Sequence, residues 1–375
     1  MVQYAKALSN SDCFRSDQKE KGMKYFTGFV LVVLVLSSCS VVKASTPVNA
    51  NSTRVITQPV EVTKTVTMQP TMTPVPTQTT VPTPRIYEVQ RQKVRQIVEK
   101  YGLVDEYYLS DSYWEKLQRD IAESGKAKRI LTLEFHGDNY RMYDGSYSLT
   151  PEAFASQMDW LMKNNYHFVT IHETQGFLEG WLDLPTKSII LTTDSGGGSK
   201  NSLARISDVY KKLDQKYGYR PHMQSYIWTN GMLPEETITC VDNSCWEAFN
   251  KAKNTGYFTF GSHTQTHRNF GYLSLNDSLW DIEESQKKIE ANLGVKVYAI
   301  TWPFEACSLY EKQLREVLGI TLAYGGWSKP IKDAFTEKSD SMSLCLPRLF
   351  PPNPEGFSGR PVGFTLEQML ESAAK

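Results

Sequence analysis

The sequence lacks a charge excess of either sign, since 41 lysines and arginines balance 41 aspartates and glutamates among its 375 residues. A neutral chain has no general attraction to polyanions, so we expect no nucleic-acid partner. No two of the six cysteines are separated by two residues, which argues against a cysteine-type zinc framework. Cys240 and Cys245 are instead spaced to close a small disulfide loop in an oxidising compartment. The sequence does not show whether Cys307 and Cys345 meet in space.

The N-terminal apolar run is too short to span a bilayer comfortably. It covers residues 26–36, whereas a membrane-spanning helix needs about 20 residues. Lys24 precedes it, and Leu36-Ser37-Ser38-Cys39 follows it and resembles a bacterial lipoprotein cleavage box. We therefore interpret residues 1–39 as a signal segment, started at Met1 or Met23, with Cys39 as the lipidated residue. The alternative is an uncleaved signal anchor.

Three further segments follow the signal segment. Residues 40–85 are rich in Thr and Pro and contain no aromatic residue, which is typical of a disordered linker. Residues 86–128 show helical periodicity with Val94, Ile97, Val98 and Tyr101, and we interpret them as a helical lead-in. Residues 129–375 form the main domain. This order predicts an extracytoplasmic, cell-surface protein anchored to the membrane by lipid.

The main domain alternates apolar runs with amphipathic stretches. The runs predict strands at Ile130–Phe135, Phe168–Ile171, Ser188–Thr193, Met223–Trp228, Tyr257–Phe260, Val297–Thr301, Thr321–Tyr324 and Ser343–Leu346. Seven or eight β-α units in a row imply a parallel sheet. Over this length, the pattern favours an α/β fold with a distorted (β/α) barrel of about seven parallel strands.

Polar and aromatic residues of the kinds found in active sites recur where these strands end. The carboxyl ends of the strands in such a barrel lie on one face, where active sites form. The residues at those ends are His136, Asp194, Trp228, His263, Trp302 and, after the last strand, Arg348. This recurrence indicates a single site on that face.

His263 and His267 are four residues apart, directly after an apolar run. Such a pair can chelate one divalent metal, although two polar loop residues would give the same pattern. The carboxylate of Asp194 ends another strand, and together the three residues suggest metal-assisted hydrolysis. Zinc is the metal we expect, with cobalt or nickel as alternatives.

Six motifs in order resemble the polysaccharide deacetylase family, the NodB homology domain of carbohydrate esterase family 4, over about residues 129–350. The motifs are Phe135-His136-Gly137-Asp138, Ile190 to Gly196, Ser262 to His267, Asp281 to Ser285 with Leu293-Gly294, Thr301-Trp302-Pro303-Phe304, and Leu346-Pro347-Arg348. The resemblance implies a metal-dependent hydrolase that removes N-acetyl groups from a cell-wall or extracellular polysaccharide.

The resemblance also implies roles for single residues. Asp194 takes the position of the catalytic base, and His263 and His267 take those of metal ligands. Ser195 stands where the family has a metal-binding Asp, so the third ligand stays open. The candidates are Asp194 itself, His136, Asp138, or Ser195 acting through a water. The family's late histidine has no counterpart, because all six histidines lie before position 268.

The remaining roles follow from chemistry and position. His136 is the best remaining candidate for the general acid, and Arg348 can orient Asp194. A sugar-binding wall is expected from Trp228, Trp302 and Trp327, and the resemblance of residues 301–304 to the family's groove wall adds Pro303 and Phe304. Each Trp taken alone is more often a core residue.

We expect an acetylated polysaccharide as substrate and a monomeric protein. Two rival functions stay open. One is a catalytically inactive glycan-binding protein that has lost the metal, and the other is an O-acetyl esterase on the same scaffold.

Overall fold

The computed structural model describes residues 85–102, 105–136, 149–195, 200–230, 243–325, 335–352, 363 and 365–374. Cys39, the 40–85 linker except its last residue, Asp138, Cys240 and Trp327 lie outside these ranges. The helices within them include none that is both long and apolar enough to cross a membrane.

Within the described ranges, eight strands form one sheet, which contains the seven parallel strands that the sequence predicts. They are β1 (Arg129–Phe135), β2 (His167–Phe168), β3 (Ser188–Ser195), β4 (Met223–Ile227), β5 (Phe258–Ser262), β6 (Ala299–Thr301), β7 (Leu322–Tyr324) and β8 (Phe335–Glu337). The order is β7-β6-β5-β4-β3-β1-β8, with β2 also paired to β3. Strands β1 to β7 pair in parallel, whereas β8 is antiparallel to β1.

The segment Leu346–Leu349 joins the two ends of the parallel sheet. The Leu346 amide donates to the Ala323 carbonyl of β7 at 2.9 Å, and the Leu349 amide donates to the Thr132 carbonyl of β1 at 3.0 Å. The sheet therefore curls into a distorted barrel. The predicted last strand at Ser343–Leu346 is wrong, because this segment makes only isolated bridges and Pro347 has no N–H to continue a ladder.

Nine helices occur in the described ranges and surround the sheet. They are α1 (Arg85–Tyr101), α2 (Asp111–Ser124), α3 (Pro151–Lys163), α4 (Ile171–Leu178), α5 (Lys200–Tyr217), α6 (Asn243–Asn254), α7 (Leu275–Leu293), α8 (Glu311–Leu318) and α9 (Leu366–Ala374). The hydroxyl of Thr150 caps α3, and that of Ser274 caps α7. Both caps satisfy backbone N–H groups that a helix start leaves without partners.

Helix α4 replaces the end of a predicted strand. The sequence predicts a strand over Phe168–Ile171, but β2 ends at Phe168 and Ile171 already begins α4. Thr170 and Glu173 form a capping box, in which each side chain binds the other residue's backbone N–H. This local hydrogen bonding outweighs the β-branched run that indicated a strand.

The lead-in helices share the hydrophobic core of the barrel. Val94, Trp114 and Leu117 are almost wholly buried in the same cluster as the strand residues Leu133 and Ile190. The lead-in therefore belongs to the compact unit that contains the barrel.

Candidate functional site

The two histidines of the predicted metal pair lie on the loop that follows β5. His263 is the first residue after the strand, and its amide donates to the Ile227 carbonyl of β4 at 2.8 Å. The buried carboxylate of Asp281 on α7 accepts from the amides of Gln265 and Thr266 at 2.6 and 3.1 Å. Asp281 thus fixes the loop between the two histidines.

The orientation of the His263 ring is set by Thr301, at the end of β6. Nδ1 of His263 lies 2.7 Å from the Thr301 hydroxyl and 3.1 Å from its carbonyl, so Nδ1 carries the proton. Nε2 then has a free lone pair and lies 3.7 Å from Oδ2 of Asp194. Burial lowers the pKa of His263 to about 3, which keeps the ring neutral and able to bind a metal.

His267 completes the pair. Its ring centroid lies 4.9 Å from that of His263, and its backbone has a positive φ of 54°. Burial lowers its pKa, so it too is neutral at neutral pH.

Asp194, the second-to-last residue of β3, is held by three hydrogen bonds. Arg348 donates from Nη1 to Oδ1 at 2.9 Å and from Nη2 to Oδ2 at 3.0 Å. The Thr301 hydroxyl donates to Oδ1 at 2.9 Å. Burial alone would raise the pKa of Asp194, but the charge of Arg348 and its hydrogen bonds to the carboxylate outweigh burial and lower the pKa. Asp194 is therefore ionised, and the predicted orienting role of Arg348 has the expected geometry.

Two further carboxyl groups contact the same guanidinium. Glu134 of β1 lies 3.0 Å from Nη2 of Arg348, and Glu305 also binds Nη2. Burial raises the pKa of Glu134 well above its ordinary value, and burial also raises that of Glu305. One guanidinium carries a single positive charge against three buried carboxyl groups, and this imbalance favours the neutral form of the glutamates.

His136 follows β1 and joins this group. Glu134, His136 and Asp194 each offer a ligand atom, and these atoms lie within 4.8 Å of one another. Nε2 of His136 lies 3.5 Å from Oε1 of Glu134. Burial lowers the pKa of His136 to about 4, so its ring holds no extra proton at neutral pH. The general-acid role of His136 stays a prediction, and the neutral ring lies beside Glu134, whose pKa burial raises.

Ser195 does not face this group. Adjacent strand residues point to opposite sides of a sheet, and the Ser195 hydroxyl accepts from the Ser225 hydroxyl at 3.0 Å. Its side chain is also almost wholly buried. The alternative in which Ser195 binds a metal through a water is therefore wrong for this conformation.

The predicted sugar-binding wall is only partly present. The His267 ring lies between Trp228 and Phe304, with centroid distances of 4.7 and 4.8 Å. Phe304 is 61% exposed, whereas the Trp228 indole is nearly buried and donates to the Gln265 carbonyl at 3.1 Å. Phe304 is therefore the aromatic face that this site offers to solvent.

Trp302 and Pro303 need correction. Trp302 is fully buried, packs on Phe270 at 5.0 Å, and donates from Nε1 to the Leu344 carbonyl at 2.6 Å. A buried indole has no face for a sugar, so Trp302 is a core residue. Pro303 is also buried, and Trp327 lies outside the described residues.

The sequence gives little signal for several residues that build this site. Glu134, Thr301 and Glu305 are far apart in the chain and belong to no metal-ligand pattern. A signal existed only for Glu134 and Thr301, because both lie at the ends of parallel strands that meet on one face.

The donor types at this site suit a divalent metal, but among the described residues the ligand atoms that lie within 4.8 Å of one another are those of Glu134, His136 and Asp194, not those of the histidine pair with Asp194. His263 and His267 are neutral imidazoles, and Asp194 is an ionised carboxylate beside His263. Two imidazoles and one carboxylate are a common set for catalytic zinc. The bond from Nδ1 of His263 to Thr301 is the kind of supporting contact that fixes the tautomer of a ligating histidine.

Residues 182–323 match the polysaccharide deacetylase family model. This range contains Asp194, His263 and His267, together with the strands that position them. No curated protein sequence matches the chain significantly.

Two solved structures share the fold. A polysaccharide deacetylase from Bacillus cereus is 18% identical, with a TM-score of 0.50, over 66% of this chain and 70% of that chain. The Streptococcus pyogenes deacetylase PplD, in complex with acetate, is 17% identical, with a TM-score of 0.51, over 65% of this chain and 98% of that one. At these identities the likeness shows the fold alone, and the family model matches less than half of the chain.

Proposed function

We propose that this protein is a metal-dependent hydrolase that removes N-acetyl groups from a cell-wall or extracellular polysaccharide. The observation that carries the proposal is the grouping of ionised Asp194 with the neutral rings of His263 and His267 at the carboxyl ends of two parallel strands, β3 and β5. His263, His267 and Asp194 would hold the ion. When bound, a divalent ion of this kind polarises a carbonyl oxygen and makes a water molecule more acidic.

The charge state of Asp194 suits both roles that the sequence assigned to it, metal ligand and base. Either role needs an ionised carboxylate in a fixed orientation. The bidentate contact with Arg348 supplies both, because it stabilises the charge and fixes the plane of the carboxyl group.

The leaving amine needs a proton when the amide C–N bond breaks. Burial raises the pKa of Glu134 well above its ordinary value, and its Oε1 lies 3.5 Å from Nε2 of His136. We infer that Glu134 supplies this proton through His136. Phe304, exposed beside His267, offers a face on which the reacting sugar stacks.

The test is amine release from an acetylated glucosamine oligomer by the full chain, with zinc or cobalt added. We expect release by the unchanged protein and its loss in His263→Ala. His172→Gln is the matched control, since His172 is equally buried but lies on α4, away from the site. Acetate release from an O-acetylated glycan, without amine release from the oligomer, would instead identify an esterase.

One observation favours a second candidate, a glycan-binding protein without catalysis. The Ser195 side chain faces away from the site, so Asp194 is the carboxylate left beside the histidine pair among the described residues. Glycan binding with neither bound metal nor amine release would support this candidate.

We further propose that the chain is anchored to the outer face of a membrane through lipid on Cys39, and that it is a monomer. The lipoprotein-like box at residues 36–39 supports the anchor. Labelling cells with a fatty-acid analogue should mark the unchanged chain but not Cys39→Ser. Equal labelling of both proteins would contradict the anchor.

A further inference from the structure

Two segments beside the site are connected at three places. They are residues 302–307, which follow β6, and residues 344–348, which lead to Arg348. Trp302 Nε1 donates to the Leu344 carbonyl at 2.6 Å, Cys307 and Cys345 form a disulfide with Cα atoms 5.7 Å apart, and Glu305 binds Arg348. We call residues 302–307 the cross-linked turn.

The backbone of the cross-linked turn is strained. Phe304 and Glu305 have φ values of 56° and 54°, in the left-handed region that non-glycine residues seldom adopt. Such residues persist only where surrounding contacts hold them, and they concentrate at functional sites. Two in succession indicate that the three connections hold a conformation that the turn would not keep alone.

This conformation sends two neighbouring side chains in different directions. Phe304 is 61% exposed and lies against the His267 ring, whereas the Glu305 carboxylate is buried against Arg348. Arg348 in turn makes the bidentate contact with Asp194. The turn thus contacts both sides of the site.

The turn also fits closely against the end of β7. A Cβ atom built on Gly325 would lie 2.7 Å from Trp302 Cδ1 and 2.8 Å from Cys307 Sγ. Only glycine fits there without displacing the turn, which leaves little space for an alternative position.

We propose that Glu305 and the Cys307–Cys345 disulfide are positioning residues for the reaction. They hold Arg348 on Asp194 and Phe304 beside His267, so the oxidised disulfide is needed for full turnover. This inference rests on the proposed deacetylase function. None of the three residues need contact the reacting atoms.

The first test removes the disulfide from the full chain, in Cys307→Ser/Cys345→Ser or with a phosphine reductant. Reduction adds two electrons and two protons and leaves two thiols. We expect kcat for amine release to fall about tenfold or more, because small displacements of aligned groups slow reactions strongly. KM should change less, at a temperature where both proteins stay folded. The double-serine protein with reductant is the control, since its rate should not respond.

Hydrogen exchange gives a readout independent of activity. Exchange should become faster at residues 302–306, where the Glu305 amide donates to the Trp302 carbonyl at 3.1 Å. If the unchanged protein releases no amine, the proposed function fails, and faster exchange on reduction still supports the holding role. Unchanged exchange would overturn that role.

The second test is Glu305→Gln, which keeps the size of the side chain and replaces the carboxyl group that contacts Arg348 with an amide. This variant keeps the inference testable if the Cys307→Ser/Cys345→Ser protein does not fold. We expect a several-fold lower kcat, and partial recovery in Glu305→Asp. A protein that unfolds at lower temperature but keeps its kcat would have lost a structural contact only. That result, or an unchanged kcat after disulfide removal, would overturn the inference.

Discussion

Arg348 is the residue on which the charges of the site depend. Its guanidinium is buried and contacts Asp194, Glu134 and Glu305. The sequence pointed to Arg348 because it follows the last apolar run, and its contact with Asp194 has the predicted geometry. The position of Glu134 near the end of β1 could have pointed to it, but nothing in the sequence spacing shows that three distant carboxyl groups share one guanidinium.

Replacing Arg348 with Lys tests this arrangement. The charge is kept, but a lysine ammonium cannot bind both oxygens of Asp194 in one plane. We expect kcat to fall about a hundredfold, in keeping with the range for lost electrostatic or acid–base groups. Arg220→Lys is the matched control, because Arg220 pairs with Asp105 and Asp214 just before β4, at the other end of the strands. An equal loss in both variants would contradict the account.

Among the elements, the lead-in is connected to the barrel by buried polar contacts. The Tyr108 hydroxyl lies 2.8 Å from Nδ1 of His222, and the Tyr113 hydroxyl donates to Glu173. His222 and Glu173 are both buried, so each would lose a needed partner without the lead-in. Periodicity predicts the lead-in helices but not these contacts, because they join residues more than 50 positions apart.

Tyr108→Phe should therefore destabilise the fold without affecting the site. Removing one partner leaves a buried nitrogen of His222 unsatisfied, which costs about 1–3 kcal/mol. Chemical denaturation measures the loss, and kcat should stay unchanged. Tyr272→Phe is the control, since Tyr272 is 90% exposed and should unfold as the unchanged protein does.

Acid should weaken the same region. Burial lowers the pKa of His172 to about 4 and that of His222 to about 3, below the value near 6.5 of an unfolded histidine. The unfolded chain therefore binds protons first as the pH falls, and stability is lost from about pH 6.5 downwards. We expect the melting temperature to fall between pH 7 and pH 4. His222→Gln should reduce this dependence, and an unchanged slope would contradict the account.

For the whole molecule, the alternation of apolar and amphipathic stretches was enough to predict a barrel of about seven parallel strands. It also located the site, because chemistry-bearing residues recur at strand ends that meet on one face. The sequence could not predict the closing role of Leu346–Leu349 or the antiparallel β8, since both depend on pairing between distant segments. It also could not separate buried Trp302 from exposed Phe304, because left-handed backbone at Phe304 and Glu305 reverses the expected directions.

The most direct test of the central claim is amine release by Asp194→Asn, with bound zinc measured on the same sample. The substitution keeps size and removes the charge that the base and ligand roles both need. The account predicts a loss of at least about a hundredfold per folded molecule. Release within about threefold of the unchanged protein, a difference of less than about 1 kcal/mol in barrier height, would contradict it.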